Sequence, residues 1–197
     1  MEGGGGISLA YLLRDRGREA RGRGSVIHAW LEGMLWIEDG LPPERELRRI
    51  AREVAPELRE VEGLMADLER WLQAPEVREV LSRTWYPAEA KVDRERPFLL
   101  RDEGRLVQGV VDRLVRAPSR EGEGPGAWVL DFKTDQVTVE TTDGSPGGDE
   151  AEFRTRVEFY RPQVETYRRA VAREEGLEVG GVAVGLVFLV PGRVIWL

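Results

Sequence analysis

Apolar residues recur at helical spacing through the first half of the chain. Between residues 25 and 38 they lie three or four positions apart, and Ser25 stands before them as a candidate N-cap. From residue 43 to residue 82 charged and apolar residues again alternate with a helical period, which is broken near Pro56 and Pro75. The pattern predicts a first helix over 25–38 and a helical subdomain over 43–82.

Four strand-like runs follow the predicted helices. They are rich in β-branched and aromatic residues, and turn-forming or charged residues separate them. Their predicted positions are 86–92, 97–101, 106–116 and 127–135. The last two flank residues 117–126, which are rich in Gly, Pro and charge, and this arrangement predicts a hairpin.

The last third of the chain is predicted to contain a loop, a helix and a second hairpin. Residues 136–152 are polar, so we expect a mobile loop there. Helical spacing then predicts a helix over about 161–175, and the runs 182–190 and 194–197 predict the hairpin. This order of elements predicts an α/β domain whose sheet has helices on its flanks.

The composition is that of one soluble globular domain. The chain has 197 residues, 41% of them apolar, which is enough for a single core. It has no cysteine, which excludes disulfides, thiol catalysis, zinc sites built on thiolates and iron–sulfur clusters. Residues 7–13 are too few and wrongly flanked for a signal peptide or a membrane span. We therefore expect a cytoplasmic protein with no membrane partner.

Charge is distributed unevenly along the chain. The formal net charge of -7 argues against a free-standing protein that binds nucleic acid tightly, because such affinity comes mainly from phosphate neutralisation. Residues 1–23 nevertheless predict a flexible basic arm, which either contacts phosphates or is simply solvated. Its arginines are Arg14, Arg16, Arg18, Arg21 and Arg23.

Lysine is rare in this chain, and one lysine stands at an informative position. Of the 29 basic residues only Lys91 and Lys133 are lysines, and Lys133 lies two residues after Asp131 in a strand-like run. Arginine stays protonated and presents a wide fork, whereas lysine is a compact point charge whose pKa can be tuned. Either position 133 requires an ammonium group for work on water or phosphate, or Lys133 is an ordinary strand lysine on a solvated face.

The predicted hairpin brings three ionisable groups to one patch. If its turn is centred in the middle of 117–126, Asp112 lies directly opposite Asp131. Side chains alternate along a strand, so Lys133 shares the face of Asp131 and Phe132 points to the other side. The surrounding strand residues are apolar, which predicts that the patch is partly buried.

Two interpretations of this patch remain open from spacing alone. Opposed carboxylates on neighbouring strands repel, and a bound cation would remove that penalty. Hard oxygen ligands favour Mg²⁺ or Mn²⁺, which keep several waters and bridge to phosphate oxygens. Alternatively, Lys133 alone neutralises one aspartate, and a shift of one residue in register separates the other.

The ordered motifs of the chain resemble a known family. Residues 109–112 (Gly-Val-Val-Asp) and 131–135 (Asp-Phe-Lys-Thr-Asp) resemble the core of PD-(D/E)XK nucleases, specifically the RecB/AddA-type nuclease domain of helicase–nucleases. Residues 24–28 resemble the family's opening helix with its histidine, 95–98 its Glu-x-Pro-Phe strand, and 160–167 its Gln-x-x-x-Tyr helix. Each motif is weak alone, but the ordered set of five is specific.

The resemblance assigns a role to each matching residue. It implies that Asp112 and Asp131 are the principal ligands of Mg²⁺ or Mn²⁺, with His28 and the Phe132 carbonyl as further ligands. It implies that Lys133 orients or helps deprotonate the attacking water and stabilises charge on the phosphate. The other implied catalytic positions are Glu95, Gln163 and Tyr167. Glu95 is preferred to Glu89 because Pro-Phe follows it.

The same resemblance implies a fold and a cellular context. The expected fold is a restriction-endonuclease-like core at 84–197, with a central mixed sheet, an inserted helical subdomain and one domain for the whole chain. The absence of cysteine favours the AddA-like or RecB-like branch over relatives that carry an iron–sulfur cluster. Such domains normally follow a helicase motor, so we expect an excised or stand-alone version of one, with the motor in cis or in trans.

The resemblance therefore implies a divalent-metal-dependent DNA nuclease, specifically an exonuclease of double-strand-break repair and recombination. Its expected substrate is single-stranded DNA or unwound duplex ends. The alternatives are a catalytically inactive nuclease-like module that binds DNA or a partner protein, and a structural adaptor whose charged hairpin is ordinary surface. The complete set Asp112, Asp131 and Lys133 argues against loss of activity, because decay usually removes one such residue.

Overall fold

The structure is a computed structural model that describes residues 7–8, 18–102, 104–118, 124–135 and 150–197. A mixed sheet lies at its centre. Its strands are β1 Ile7–Ser8, β2 Lys91–Asp102, β3 Arg105–Arg116, β4 Ala127–Lys133, β5 Val182–Phe188 and β6 Arg193–Trp196. The order is β2-β3-β4-β5-β6, and the short β1 pairs in parallel with β3. The β4–β5 pair is also parallel, whereas β2–β3, β3–β4 and β5–β6 are antiparallel.

Helices cover both faces of this sheet. They are α1 Arg18–Glu32, α2 Glu44–Val54, α3 Val61–Trp71, α4 Pro75–Leu81 and α5 Glu150–Glu175. Leu130 and Phe132 of β4 pack with α1 to α4 in one buried cluster. Val129 of the same strand packs with α5 on the other side. This division follows from the alternation of side chains along a strand, and it confirms the predicted α/β fold with a central mixed sheet and flanking helices.

The start of the first helix differs from the prediction. Helix α1 begins at Arg18 and ends at Glu32, so Ser25 lies inside it and is not its N-cap. Gly22 and Gly24 let the extra turns pack closely, since a Cβ on either would lie 3.3 Å from Ala55 or Thr134. Residues 18–23 therefore belong to a helix and not to a flexible arm. Arg14 and Arg16 lie outside the described residues.

Two further boundaries were wrong. The runs 86–92 and 97–101 are parts of one strand, β2, which pairs with β3 from Lys91 to Asp102 despite the polar residues between them. Helix α5 begins at Glu150, and Pro162 lies inside it rather than at its start. Pro at a first helical position is a common start signal, but Phe153 and Val157 extend the buried face of α5 toward its N-terminus. Of the predicted mobile loop, residues 136–149 lie outside the described residues.

Two predicted ends were too late, since α1 ends at Glu32 and not near residue 38, and β4 ends at Lys133 and not at residue 135. The helical subdomain and the final hairpin agree with the structure. Three helices occupy the stretch 43–82, with α2 ending before Pro56 and α4 beginning at Pro75. The final hairpin is formed by β5 and β6. None of the helices in the described part of the chain is long and apolar enough to cross a membrane.

Candidate metal and catalytic site

Three acidic residues lie at one level across neighbouring strands: Glu95 on β2, Asp112 on β3 and Asp131 on β4. Arg113 pairs with Arg94 on one side and with Leu130 on the other, and the next position on each strand is one of these acids. This is the register predicted for the β3–β4 hairpin. The regular pairing stops at the acids, and the Oδ2 of Asp112 instead accepts a hydrogen bond of 2.7 Å from the amide of Phe132.

The backbone of Glu95 is unusual at this level. Its φ of 48° lies in the left-handed region, which non-glycine residues rarely adopt. Residues in such conformations cost about 1–3 kcal/mol and concentrate at functional sites, where the surroundings hold them. The conformation interrupts the pairing of β2 with β3 and leaves the carboxylate of Glu95 half-buried beside Asp112.

His28 of helix α1 faces two of these acids. Its Nδ1 lies 3.4 Å from Oδ1 of Asp112 and 4.0 Å from Oε1 of Glu95. Its ring stands edge-on to the ring of Phe132, with 6.2 Å between the centroids. One ligand atom from each of His28, Glu95 and Asp112 lies within 4.8 Å of the others, as a shared metal ion requires. Their side chains are 30%, 33% and 12% exposed, so the group is open to solvent on one side.

Asp131 and Lys133 form a buried pair beside this group. The Nζ of Lys133 lies 2.5 Å from Oδ2 of Asp131, and the two side chains are only 9% and 2% exposed. Lys133 also donates a hydrogen bond of 3.2 Å to Oε1 of Gln163 and lies 4.1 Å from the ring centre of Tyr160. Gln163 in turn donates to the hydroxyl of Tyr167 at 2.6 Å. Helix α5 therefore supplies three side chains that fix the direction of the Lys133 ammonium.

Burial and mutual repulsion shift the protonation of the site. Burial and the neighbouring Asp112 raise the pKa of Glu95 to about 7. Burial also raises the pKa of Asp131, although Lys133 opposes it. Burial by itself would lower the pKa of His28, but the carboxylates of Asp112, Asp131 and Glu95 outweigh it and leave that pKa raised.

These observations test whether a divalent cation fits the site. Three ligand atoms converge from a helix and two strands, and they include two carboxylates, of which Glu95 has a raised pKa. In addition, the buried carboxylate of Asp131 lies on the strand next to Asp112, paired with Lys133. Oxygen ligands with one imidazole suit Mg²⁺ or Mn²⁺, and a cation would neutralise the repulsion between the acids. The donor set therefore fits a divalent metal ion.

In a comparison with protein-family sequence models, the PD-(D/E)XK nuclease superfamily matches residues 8–194. The chain belongs to this superfamily. No protein of curated function matches the chain in sequence. Enzymes of this nuclease superfamily use divalent metal ions, which agrees with the chemistry of the donor set.

The nuclease site differs from the sequence prediction in how the residues are grouped. Glu95, predicted as a catalytic residue, lies with His28 and Asp112 in the group whose geometry could hold a metal ion. The carboxylate of Asp131 is paired with Lys133, and its role as a metal ligand stays a prediction. Phe132 contributes its amide to Asp112, and a ligand role for its carbonyl stays a prediction.

Sequence analysis missed the contribution of Tyr160. Its ring lies against the Lys133 ammonium, and its hydroxyl donates to the carboxylate of Asp135. Tyr160 stands three residues before Gln163 and seven before Tyr167, a spacing that places all three on one helical face. This spacing could have identified Tyr160 from the sequence.

The pKa shifts predict how the stability of the metal-free nuclease depends on pH. Because the pKa of Glu95 rises from 4.5 to about 7 on folding, its contribution to stability is complete below pH 4.5 and is lost as the pH rises through 7. Raised pKa values of Asp131 and His28 act in the same direction. We therefore expect the free energy of unfolding in EDTA to fall between pH 5 and pH 7.5 (about the window of these shifts).

Urea unfolding at a series of pH values measures this effect. The decrease of the free energy of unfolding with pH is expected to be smaller in Glu95→Gln, because glutamine does not titrate. It is expected to be smaller again in the wild type with saturating Mg²⁺. A stability that rises steadily across this window in EDTA would contradict the prediction.

Proposed function

We propose that this protein is a divalent-metal-dependent deoxyribonuclease that hydrolyses phosphodiester bonds by direct attack of water. One observation carries the proposal: the group formed by His28, Glu95 and Asp112 lies beside the buried Asp131–Lys133 pair. The first provides ligands for a cation, and the second provides a positioned ammonium. The combination matches the needs of phosphodiester hydrolysis, where charge develops on the phosphate and on the attacking water.

His28, Glu95 and Asp112 would hold the cation, with Asp131 as a further ligand once its carboxylate turns from Lys133. The chemistry supplied by a bound divalent ion is neutralisation of phosphate charge and a lower pKa for a nearby water. The helix and the strands contribute rigid positions for these ligands, and rigidity of this kind reduces the reorganisation needed at each turnover.

Lys133 is proposed to act directly on the reacting groups. Its ammonium donates to the attacking water or to a non-bridging phosphate oxygen, which orients the first and stabilises charge on the second. Asp131 pairs with the buried ammonium, and Gln163 and Tyr160 limit its direction. Water then forms the new P–O bond and releases a proton to the solvent. The bond to the leaving sugar oxygen breaks, and that oxygen takes up a proton from the solvent, without a covalent enzyme intermediate.

The biological setting is also a proposal. We propose a RecB/AddA-type nuclease module that receives single strands or unwound duplex ends from a helicase motor, in cis or in trans, during double-strand-break repair. The net charge of -7 supports delivery by a partner, because the domain alone neutralises few phosphates. We further propose exonuclease action and a cytoplasmic location.

Degradation of end-labelled DNA tests the proposed activity. Single-stranded and duplex substrates are incubated with the protein in Mg²⁺, Mn²⁺ or EDTA. We expect cutting with either metal and none in EDTA, and the product ladder from each labelled end reports exonuclease polarity. If neither metal supports cutting and calorimetry detects no Mn²⁺ binding, the chain is the inactive binding module. Mn²⁺ binding without cutting would indicate a nuclease that needs its motor.

The hydrogen bond from Lys133 to Gln163 predicts a smaller catalytic effect. Replacing Gln163 by leucine keeps the size of the side chain but removes the acceptor at 3.2 Å from the ammonium. We expect kcat to fall by about tenfold, the equivalent of roughly 1.4 kcal/mol of lost positioning. Gln108→Leu makes the same chemical change at an exposed position of β3, so it serves as the matched control and should retain full activity.

A further inference from the structure

The C-terminal end of helix α1 is held by arginines from the sheet. The last turn of α1 contains no basic residue of its own. The carbonyl of Glu32 accepts a hydrogen bond of 2.6 Å from Nη1 of Arg94 on β2. Just beyond the helix, the carbonyls of Met34 and Leu35 accept from the two Nη atoms of Arg113 on β3. Carbonyls at a helix C-terminus lack intrahelical partners and attract cations, so these contacts satisfy both needs.

Arg94 and Arg113 are themselves opposite each other on neighbouring strands. Two like charges in this arrangement repel. Arg113 is also only 1% exposed, and its guanidinium lies 5.5 Å from the ring centre of Trp36. Charge pairing within the sheet therefore does not account for this pair of arginines. Their shared contact with the carbonyl groups at the end of α1 accounts for the arginine pair.

The arginine pair stands directly beside the acid pair. Glu95 follows Arg94 on β2, and Asp112 precedes Arg113 on β3. Because these strands are antiparallel, the two acids occupy the cross-strand level next to the arginines. On α1, His28 lies one helical turn before Glu32, and its Nδ1 is 3.4 Å from Asp112. The arginine pair thus contacts the C-terminal end of α1, and the neighbouring acid pair contacts His28 one turn earlier in the same helix.

We propose that Arg94 and Arg113 are positioning residues for the metal site, because they bind the end of α1 and so hold His28 against Glu95 and Asp112. This inference rests on the proposed function in that those three side chains bind the cation. The arginines touch neither the ligands' donor atoms nor the substrate in this role. They add charge-assisted hydrogen bonds to the apolar contacts and to the His28–Asp112 contact that also join this helix to the sheet.

Charge and positioning predict opposite effects on metal affinity, which makes the inference testable. Removal of a positive charge near the acids would, by electrostatics alone, strengthen cation binding. Loss of positioning would weaken it, since residues that orient metal ligands typically change affinity by about 10–100-fold. Arg94→Met is the variant of choice because Arg94 is exposed and methionine retains much of its aliphatic stem.

Two measurements are made on Arg94→Met, on Arg94→Lys and on the control Arg101→Met, an exposed arginine of the same strand. The first is the NOE between the rings of His28 and Phe132 in the metal-free protein. His28 is the sole histidine, so its ring signals need no separate assignment. The second is Mn²⁺ affinity by calorimetry. The buried Arg113→Lys, which keeps the charge but loses the fork, is measured in the same way.

We expect Arg94→Met to weaken the ring NOE and to lower Mn²⁺ affinity by about tenfold, with Arg94→Lys between it and the wild type. Arg113→Lys should show the same loss, and Arg101→Met none. An unchanged NOE in Arg94→Met, or a higher Mn²⁺ affinity, would overturn the inference, as would a lower melting temperature with both readouts intact. If the wild type itself binds no Mn²⁺, the proposed function fails, and the metal-free NOE still decides the role of the arginines.

Discussion

Replacement of Lys133 by alanine is expected to reduce metal-dependent DNA cutting by about a thousandfold, while Mn²⁺ binding persists. The ammonium is the group best placed to stabilise charge on the phosphate, and loss of one such donor typically costs 10²–10³ in rate, or roughly 3–4 kcal/mol. Its position is fixed by Asp131, Gln163 and Tyr160, so alanine removes an ammonium that is held in one direction. Single-turnover cleavage of end-labelled DNA at saturating enzyme measures the effect.

The chain offers a matched control for this variant. Lys91 is the only other lysine, and it is exposed on β2, so Lys91→Ala makes the same chemical change without touching the site. Lys133→Ala also leaves buried Asp131 without its partner, which is expected to cost about 3 kcal/mol of stability. Circular dichroism must therefore show that the variant is folded at the assay temperature. Full activity in folded Lys133→Ala would remove Lys133 from the mechanism.

Replacement of Asp112 by asparagine is expected to abolish detectable cutting and to weaken Mn²⁺ binding by about 100-fold. Asp112 is the acid that contacts His28, lies beside Glu95 and fixes the amide of Phe132. Asparagine can still accept the Phe132 hydrogen bond, so the fold should survive while one charged ligand is lost. Thermal unfolding measures binding: Mn²⁺ at 100 times its Kd should stabilise the wild type by about 2.7 kcal/mol and the variant little.

Without metal, the same substitution is expected to stabilise the protein. At pH 8 in EDTA, Asp112→Asn should raise the free energy of unfolding by up to about 1 kcal/mol, because it removes repulsion with Glu95 and Asp131. Asp39→Asn, an exposed aspartate paired with Arg83, is the control and should show no gain. A structural adaptor would show no change or a loss of stability in Asp112→Asn, so the sign of this effect separates the two functions.

The prediction from sequence was strongest where the chemistry is local in the chain. The register of the β3–β4 hairpin and the shared level of Asp112 and Asp131 follow from side-chain alternation and a short connection. Those two rules act between near neighbours, so few competing arrangements exist. The β5–β6 hairpin was predicted correctly for the same reason, because a short connection joins its strands.

Element boundaries failed where tertiary contacts replaced a local signal. Ser25 has the chemistry of an N-cap, yet α1 runs through it because the glycines before it allow close packing against the rest of the fold. Pro162 has the chemistry of a helix start, yet α5 runs through it because Phe153 and Val157 have apolar surface to bury against the sheet. Burial of that kind outweighs one lost hydrogen bond or one cap of about 1 kcal/mol.

By itself, the sequence determined which residues are candidates for the chemistry and which strands hold them, because motif spacing and strand alternation are properties of neighbouring residues. Only the tertiary structure decided how they are grouped: His28 with Glu95 and Asp112, and Asp131 with Lys133. It alone also brought Arg94 and Arg113 to the end of α1. These contacts join residues far apart in the chain, and their distances depend on how a helix packs on a sheet, which no local pattern encodes.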